Sequence, residues 1–105
     1  MSKTIYILSC KKNKYYIGST NRPLKERILE HFEWKGSSWT YKYPPIKVVE
    51  TIQNADNFDE DKNVKKYMFK YGIDNVRGGS YSSFQLSNEM KNLITSLERE
   101  TLKIR

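Results

Sequence analysis

The sequence predicts an α/β (α+β) domain in which a three-stranded antiparallel sheet is flanked by helices. Two segments near the N-terminus, residues 4–9 and 15–19, are rich in the β-branched and aromatic residues that favour strands. A third segment of the same kind covers residues 46–52. Elsewhere apolar residues recur at three- and four-residue spacing, which is the periodicity of amphipathic helices.

Length and composition indicate one small domain inside the cell. The chain has 105 residues and no apolar run long enough to span a membrane. The first strand begins almost at the N-terminus, so we expect no signal peptide. The single cysteine, Cys10, excludes an internal disulfide and fits a reducing compartment, where we expect it to be a small buried residue and not a nucleophile.

The charge of the chain favours a polyanionic partner. Nineteen basic and 12 acidic residues give a formal net charge of +7. Such a balance favours nucleic acid over a membrane surface as the partner. Because many small basic proteins have no such partner, the charge supports this interpretation only slightly.

The first two predicted strands form a hairpin around a polar turn that carries Lys12 and Lys14. Both lysines are candidates for contact with nucleic acid. Side chains alternate between faces along a strand, and the hairpin places Tyr6 and Tyr16 on neighbouring strands. Gly18 ends the second strand, where the missing side chain allows another group to approach closely.

A helix is predicted over residues 23–33, because Pro23 suits a first helical turn. Its apolar positions recur at four-residue spacing: Leu24, Ile28 and Phe32. Arg27 and His31 are also four residues apart and therefore share a face. One interpretation is an exposed arginine with a surface histidine. The other is a guanidinium and an imidazole directed over the hairpin.

The segment 34–45 is rich in glycine, serine, proline and aromatic residues, and it predicts a loop. Aromatic residues that alternate with lysines can stack on nucleic-acid bases, which makes Trp39 a candidate binding residue. The alternative is that Trp34 or Trp39 anchors the loop on a small core. The third predicted strand follows this loop.

A second helix is predicted to end at Tyr71, where Gly72 stops it. Asn57 and Glu60 have the spacing of a capping box, so Glu60 is either a capping residue or a ligand for Mg²⁺ or a similar cation. The glycine-containing loop after this helix carries Arg77, and we expect this loop to be flexible and able to lie against phosphates.

Two helices have an apolar stripe that predicts their inward face. In the second helix the stripe consists of Val64, Tyr67, Met68 and Tyr71. A third helix is predicted from residue 87 towards the C-terminus, with the stripe Leu86, Met90, Leu93, Ile94, Leu97 and Thr101. We expect this last helix to pack on the sheet; a dimer contact is the alternative.

The two triplets Thr4-Ile5-Tyr6 and Tyr16-Ile17-Gly18 resemble the paired signature of the GIY-YIG nuclease superfamily, with threonine in place of the first glycine. Arg27, His31 and Asn75 match further positions of that pattern. The runs 36–40 and 66–81 resemble a subgroup common in large DNA viruses. The resemblance covers residues 3–84, which assigns residues 1–84 to the nuclease-like domain and residues 85–105 to a C-terminal helix packed on it.

This resemblance implies a metal-dependent endonuclease that hydrolyses phosphodiester bonds in DNA, virus-encoded and acting in the host cell. The implied cofactor is one Mg²⁺ or Mn²⁺ ion on Glu60, with no organic cofactor, and a monomer is expected rather than a dimer. The implied catalytic residues are Tyr6, Tyr16, Arg27, His31 and Asn75. The implied nucleic-acid contacts are Gly18, Ser19, Lys12, Lys14, Trp39 and Arg77.

Two details of the resemblance affect the chemistry. Tyr6 is expected to help deprotonate water, with its pKa lowered by nearby cations. Ser19 stands where some relatives have a lysine that would contribute to this effect. Most relatives place the glutamate about one turn nearer the helix middle, where Asn63 and Val64 stand here. Either Glu60 acts from one turn earlier, or the chain is a catalytically impaired nucleic-acid-binding module; a protein-interaction domain that uses the last helix is a further alternative.

Overall fold

The computed structural model describes residues 3–33, 36–56, 58–81, 87–89 and 91–95. Four strands form one mixed sheet in the order β3-β1-β2-β4: β1 Lys3–Cys10, β2 Lys14–Thr20, β3 Pro45–Ala55 and β4 Val76–Gly78. Between residues 24 and 71 the helices α1 Leu24–Phe32, α2 Ser38–Lys42 and α3 Asp59–Tyr71 accompany the sheet. The predicted α/β class is confirmed. None of the helices in these residues has the length and apolar character needed to cross a membrane.

The predicted hairpin is formed by β1 and β2, which pair in antiparallel fashion. A single 3-10 turn, Lys11–Asn13, connects the two strands. In the resulting register Tyr6 lies opposite Gly18, and Leu8 lies opposite Tyr16. β3 pairs with the other side of β1, which makes β1 a fully buried central strand over most of its length.

Each face of the sheet carries its own apolar cluster, because successive side chains of β1 alternate between the faces. The cluster under α3 includes Ile5, Ile7, Ile17, Val64, Tyr67 and Met68. The cluster on the opposite face consists of Tyr6, Leu8, Cys10, Tyr16 and Trp39. The predicted inward stripe of α3 and the predicted burial of Cys10 are therefore confirmed. Burial also raises the pKa of the Cys10 thiol to about 12.

The predicted number of strands is wrong, because a fourth strand lies where a flexible loop was expected. β4 has three residues and pairs in parallel with β2, with Arg77 opposite Tyr16. All three residues are buried, and a Cβ on Gly78 would collide with the Ile17 carbonyl oxygen. A three-residue strand is too short to show an alternating pattern, so this strand depends on pairing with a partner distant in sequence.

The segment predicted as a loop before β3 contains the short helix α2. Ser37 is its N-cap: the Ser37 side chain accepts a hydrogen bond from the Thr40 amide at 3.1 Å. The Thr40 hydroxyl in turn accepts a hydrogen bond from the Ser37 amide at 3.3 Å. This reciprocal arrangement satisfies two amides that a helix start otherwise leaves without a partner.

Asp56 and Asp59 exchange hydrogen bonds at the start of α3. Asp56 Oδ1 accepts hydrogen bonds from the amides of Phe58 and Asp59, at 2.8 and 3.0 Å. Asp59 Oδ2 accepts a hydrogen bond from the Asp56 amide at 2.8 Å. Asn57, the partner predicted for Glu60 in a capping box, lies outside the described residues. The side chain of Glu60 accepts a hydrogen bond from the Ser19 hydroxyl on β2.

Residues 88–89 and 91–95 are helical, in agreement with a third predicted helix. Ile94 is completely buried in the cluster that contains Ile5 and Ile7, whereas the neighbouring Leu93 is 55% exposed. The other members of the predicted stripe, Leu86, Met90, Leu97 and Thr101, lie outside the described residues.

The burial of Ile94 predicts that the C-terminal helix stabilises the domain. We expect Ile94→Ala to lower the free energy of unfolding by about 2–4 kcal/mol, because a buried side chain is lost and a cavity remains. The matched control Leu93→Ala removes an exposed side chain and should cost less than about 1 kcal/mol. Urea unfolding followed by tryptophan fluorescence measures both. Equal effects of the two substitutions would contradict this packing.

Candidate active site

Three aromatic rings from three elements meet on the face of the sheet that carries α1. Tyr6 of β1 and Tyr16 of β2 have ring centroids 6.4 Å apart. The ring of His31, from α1, lies 5.4 Å from that of Tyr6 and 5.0 Å from that of Tyr16. Tyr6 and His31 are completely buried. The alternative of a surface histidine is therefore wrong.

Two glycines are required for this packing. A Cβ on Gly18 would overlap the ring and hydroxyl of Tyr6, which lies opposite it in the hairpin. A Cβ on Gly36 would overlap the ring of His31. Gly18, predicted as a nucleic-acid contact, is buried and serves the packing of Tyr6.

A chain of hydrogen bonds runs from the N-cap of α2 to Tyr6. Ser37 Oγ lies 3.0 Å from Thr40 Oγ1, which lies 2.9 Å from His31 Nδ1. His31 Nε2 lies 2.8 Å from the Tyr6 hydroxyl. Thr40 Oγ1 has one proton and lies 3.3 Å from the Ser37 carbonyl oxygen, so we assign that proton to the carbonyl. Nδ1–H of His31 then donates to Thr40, and Nε2 accepts a hydrogen bond from Tyr6.

The environment keeps the imidazole of His31 neutral. Burial is the main cause, and the charge of Arg27 adds to it; together they lower the pKa of His31 to about 4. An imidazole with such a pKa carries one ring proton at neutral pH, and with that proton on Nδ1 the other nitrogen, Nε2, accepts from Tyr6.

The expected lowering of the Tyr6 pKa is wrong. Burial raises the pKa of Tyr6, and the neighbouring Tyr16 raises it further. Arg27 lowers the pKa of Tyr6, but by less than burial and Tyr16 raise it. Burial also raises the pKa of Tyr16. Both phenols are therefore protonated at neutral pH and available as hydrogen-bond donors.

Arg27 reaches this cluster from α1. Its charge lowers the pKa of both Tyr6 and Tyr16, which places the guanidinium close to the two phenols. Its Nη1 also donates to Glu30 Oε1 at 2.8 Å, and its side chain is 22% exposed. The guanidinium is therefore both near the buried rings and accessible to a ligand.

Glu60 approaches the cluster from the first turn of α3. Its Oε1 accepts a hydrogen bond from Ser19 Oγ at 2.8 Å. Its charge raises the pKa of both Tyr6 and Tyr16. Ser19, predicted to contact nucleic acid, thus holds the carboxylate that was predicted to bind metal.

Glu60 is the residue predicted to hold a divalent metal ion. Within the described residues, no group of three or more His, Cys, Asp or Glu side chains could hold a metal ion. Mg²⁺ in phosphate-processing sites is commonly held by one or two carboxylates, with waters and substrate oxygens as the remaining ligands. A half-buried carboxylate that is fixed by a hydroxyl fits this pattern, so Glu60 could hold such an ion.

Asn75 and Lys14 lie away from the cluster. Asn75 Oδ1 accepts a hydrogen bond from Lys14 Nζ at 2.6 Å, and its Nδ2 donates to the Tyr71 carbonyl oxygen at 2.7 Å. Tyr71 is at the opposite end of α3 from Glu60, a separation of roughly 16 Å at 1.5 Å per residue. The structure therefore places Asn75 beside Lys14, at the opposite end of α3 from Glu60.

Trp39 and Arg77 are buried, which contradicts their prediction as contacts for nucleic acid. Each is 2% exposed, and the Arg77 guanidinium carbon lies 4.8 Å from the centre of the Trp39 ring. Trp39 Nε1 donates to the Tyr15 carbonyl oxygen at 2.9 Å. Arg77 Nη1 donates to the carbonyl oxygens of Ile73 and Val76. Trp39 is the anchor of its segment, as the alternative interpretation had it.

Lys12 is exposed in the turn between β1 and β2. This turn lies at the end of the hairpin opposite to Thr4 and Thr20. Tyr6, Gly18 and Ser19 lie towards the other end, so Lys12 is not a neighbour of the cluster. Its predicted contact with nucleic acid would be remote from the catalytic groups.

Sequence reasoning missed several residues of the site. Ser37 and Thr40 have the three-residue spacing of a helix N-cap, which would have predicted α2 and thereby the position of Thr40. Glu30 follows Arg27 by three residues on α1, which is the spacing of a helical ion pair. The sequence offers no comparable signal for the contact of Gly36 with His31.

Comparison with known proteins agrees with this geometry. A family model described as the GIY-YIG catalytic domain matches residues 2–63, which is more than half of the chain. The matched stretch contains Tyr6, Tyr16, Arg27, His31 and Glu60. No curated protein and no solved structure matches the chain.

The lowered pKa of His31 predicts a pH-dependent stability. An unfolded histidine titrates near 6.5, so between pH 6.5 and 4 the unfolded state binds more protons than the folded state. Neutral His31 therefore contributes about 3 kcal/mol to the free energy of unfolding. This contribution is complete above pH 6.5 and is lost as the pH falls towards 4. Urea unfolding at several pH values measures it.

The control for this measurement is His31→Gln, which lacks the titrating ring and retains both hydrogen-bonding functions. Carboxylates that titrate in the same range are common to both proteins and cancel in the difference. The same slope of unfolding free energy against pH in both proteins would contradict a buried neutral histidine.

Proposed function

The chain belongs to the GIY-YIG nuclease family, and from that premise we propose that it is a metal-dependent endonuclease that hydrolyses phosphodiester bonds in DNA. The observation that carries this proposal is the convergence of two phenols, an imidazole, a guanidinium and a carboxylate from β1, β2, α1 and α3. The family typically uses a divalent metal ion, and the net charge of +7 suits a polyanionic substrate.

Arg27 is the group suited to hold the scissile phosphate. The anionic oxygens of a phosphodiester repel a nucleophile, so catalysis needs positive charge beside them. A guanidinium forms two parallel hydrogen bonds to phosphate oxygens, and its pKa keeps it charged at any working pH. The partial exposure of Arg27 leaves it accessible to the substrate, with the phenols of Tyr6 and Tyr16 beside it.

Tyr6 and His31 are suited to move a proton. The Tyr6 oxygen accepts a proton from the attacking water as its own proton passes to His31 Nε2, which lies 2.8 Å away. The water becomes hydroxide, the phenol is unchanged in charge, and the imidazole becomes an imidazolium. Because His31 is neutral at rest, Nε2 is available to accept that proton.

Glu60 is suited to hold one Mg²⁺ or Mn²⁺ ion, with Ser19 keeping its carboxylate in place. Such an ion, when bound, stabilises the charge on the leaving oxygen and lowers the pKa of bound water. The Tyr16 ring lies beside that of His31. Its hydroxyl is a donor suited to the phosphate or the water. This assignment places the metal ligand one turn earlier on α3 than in most relatives.

The proposal predicts nicking of supercoiled plasmid in Mg²⁺ or Mn²⁺. Arg27→Ala and Glu60→Gln should each lower the rate at least about 100-fold, which is the cost of losing one group that stabilises transition-state charge. Glu60→Gln should retain binding to duplex DNA in EDTA. Glu89→Gln makes the same charge change at an exposed position of the C-terminal helix and should cut at the wild-type rate.

If the wild type binds DNA but does not cut it in either metal, the chain is a catalytically impaired binding module and the proposed hydrolysis is wrong. If Glu60→Gln cuts as fast as the wild type, Glu60 is not the metal ligand.

Thr40 provides a test of the proton path. Thr40→Val removes the hydroxyl that accepts from His31 Nδ1, and we expect kcat to fall about tenfold with little change in KM, because the imidazole loses its fixed tautomer. Thr40→Ser retains the hydroxyl and should restore most of the rate. Nicking rates measured against substrate concentration and pH separate these effects. Equal rates for the valine and serine variants would contradict the role of the tautomer.

A further inference from the structure

One carboxylate at the rim of the site is held between two arginines. Glu30 Oε1 and Oε2 accept hydrogen bonds from Arg22 at 2.6 and 3.2 Å. Glu30 Oε1 also accepts from Arg27 Nη1 at 2.8 Å. The side chains of Arg22, Glu30 and Arg27 are 53%, 32% and 22% exposed, so a ligand in solution can reach all three.

Arg22 is presented by the segment between β2 and α1. Its backbone amide donates to Thr20 Oγ1 at 3.0 Å, which fixes the start of this segment to the end of β2. The guanidinium then reaches across to Glu30, eight residues further along the chain. Arg22 therefore stands at the same rim as Arg27 although it lies outside α1.

The geometry of this cluster is that of an anion site. A guanidinium presents a planar fork of donors that matches carboxylate and phosphate oxygens equally well. Two guanidiniums on one carboxylate carry a net charge of +1, which still attracts an anion. The two arginines lower the pKa of Glu30 to about 2, so the carboxylate is ionised at neutral pH and competes with any other anion for them.

We propose that Arg22 and Arg27 form a two-arginine phosphate site, which Glu30 occupies in the absence of substrate. On DNA binding, Arg27 takes the scissile phosphate and Arg22 takes a neighbouring backbone phosphate, while Glu30 gives up hydrogen bonds to both. The identity of the ligand as DNA rests on the proposed function. The position of the site rests on the contacts of Glu30 alone.

The consequence is that Glu30 lowers affinity for the substrate. Its carboxylate must be displaced from the arginines, and it remains as a negative charge beside the incoming phosphates. A neutral glutamine at this position removes both effects. Arg22, in contrast, adds one phosphate contact, and each such contact steepens the dependence of affinity on salt.

The test measures fluorescence anisotropy of a labelled DNA duplex in EDTA over a range of salt concentrations, so that no cleavage is involved. Glu30→Gln should tighten binding about fivefold. Arg22→Gln should weaken binding and lower the slope of log affinity against log salt by about 0.9, the value for one phosphate contact in duplex DNA. Lys25→Gln, an exposed residue of α1, makes the same charge change as Arg22→Gln outside the cluster.

Double variants separate a direct contact from general charge. The gain in DNA-binding free energy from Glu30→Gln should fall by about half when Arg22→Gln is also present, because one of the two released guanidiniums is missing. The gain should be unchanged in a Lys25→Gln background. Equal gains in both backgrounds would overturn the proposal, as would equal salt slopes for Arg22→Gln and Lys25→Gln, or a failure of the wild type to bind DNA.

Plasmid nicking by the wild type in Mg²⁺ distinguishes this inference from the proposed function. If the wild type nicks plasmid but Arg22→Gln does not change the slope of log affinity against log salt, the two-arginine site is overturned. The nuclease assignment is then unaffected. The predicted slopes without nicking support the phosphate site in a protein that binds DNA and does not cut it.

Discussion

The buried hydrogen bond between Tyr6 and His31 connects the hairpin to α1 and gives the site its centre. Both side chains are completely buried, and each of their polar atoms on this path has a partner, from Tyr6 through His31 to Thr40. A buried polar group without a partner costs about 1–3 kcal/mol, so α1 and α2 are held in positions that complete this chain. The close approach depends on Gly18, which leaves room for the Tyr6 ring.

The position of the acidic group follows from how α3 begins. Asp56 accepts hydrogen bonds from the amides of Phe58 and Asp59 at this start, and Glu60 lies in the first helical turn. Its carboxylate instead accepts from Ser19, next to Gly18 on β2. The same strand therefore supplies room for the phenol and an anchor for the acid. A glutamate in the first helical turn is thereby held against β2.

Some arginines and aromatic residues of this domain stabilise its interior, and others are accessible to a ligand. The residue type alone does not show which of these two roles a side chain has. Arg77 and Trp39 stack in the interior, where the arginine satisfies backbone carbonyl oxygens. Arg22 and Arg27 stand at the rim of the site and share one carboxylate. The net charge of +7 includes all of these cations, so it overstates the charge that a polyanion can contact directly.

The sequence by itself determined the hairpin, α1, α3, the third strand and the shared face of Arg27 and His31, because those features depend on local periodicity and turn residues. The resemblance of its motifs to a family pattern predicted the five groups that we propose for the site. The tertiary structure decided that β4 joins the sheet, that His31 is buried and neutral, and that the phenol pKa values rise instead of falling. These outcomes depend on burial and on partners distant in the chain, which no local pattern records.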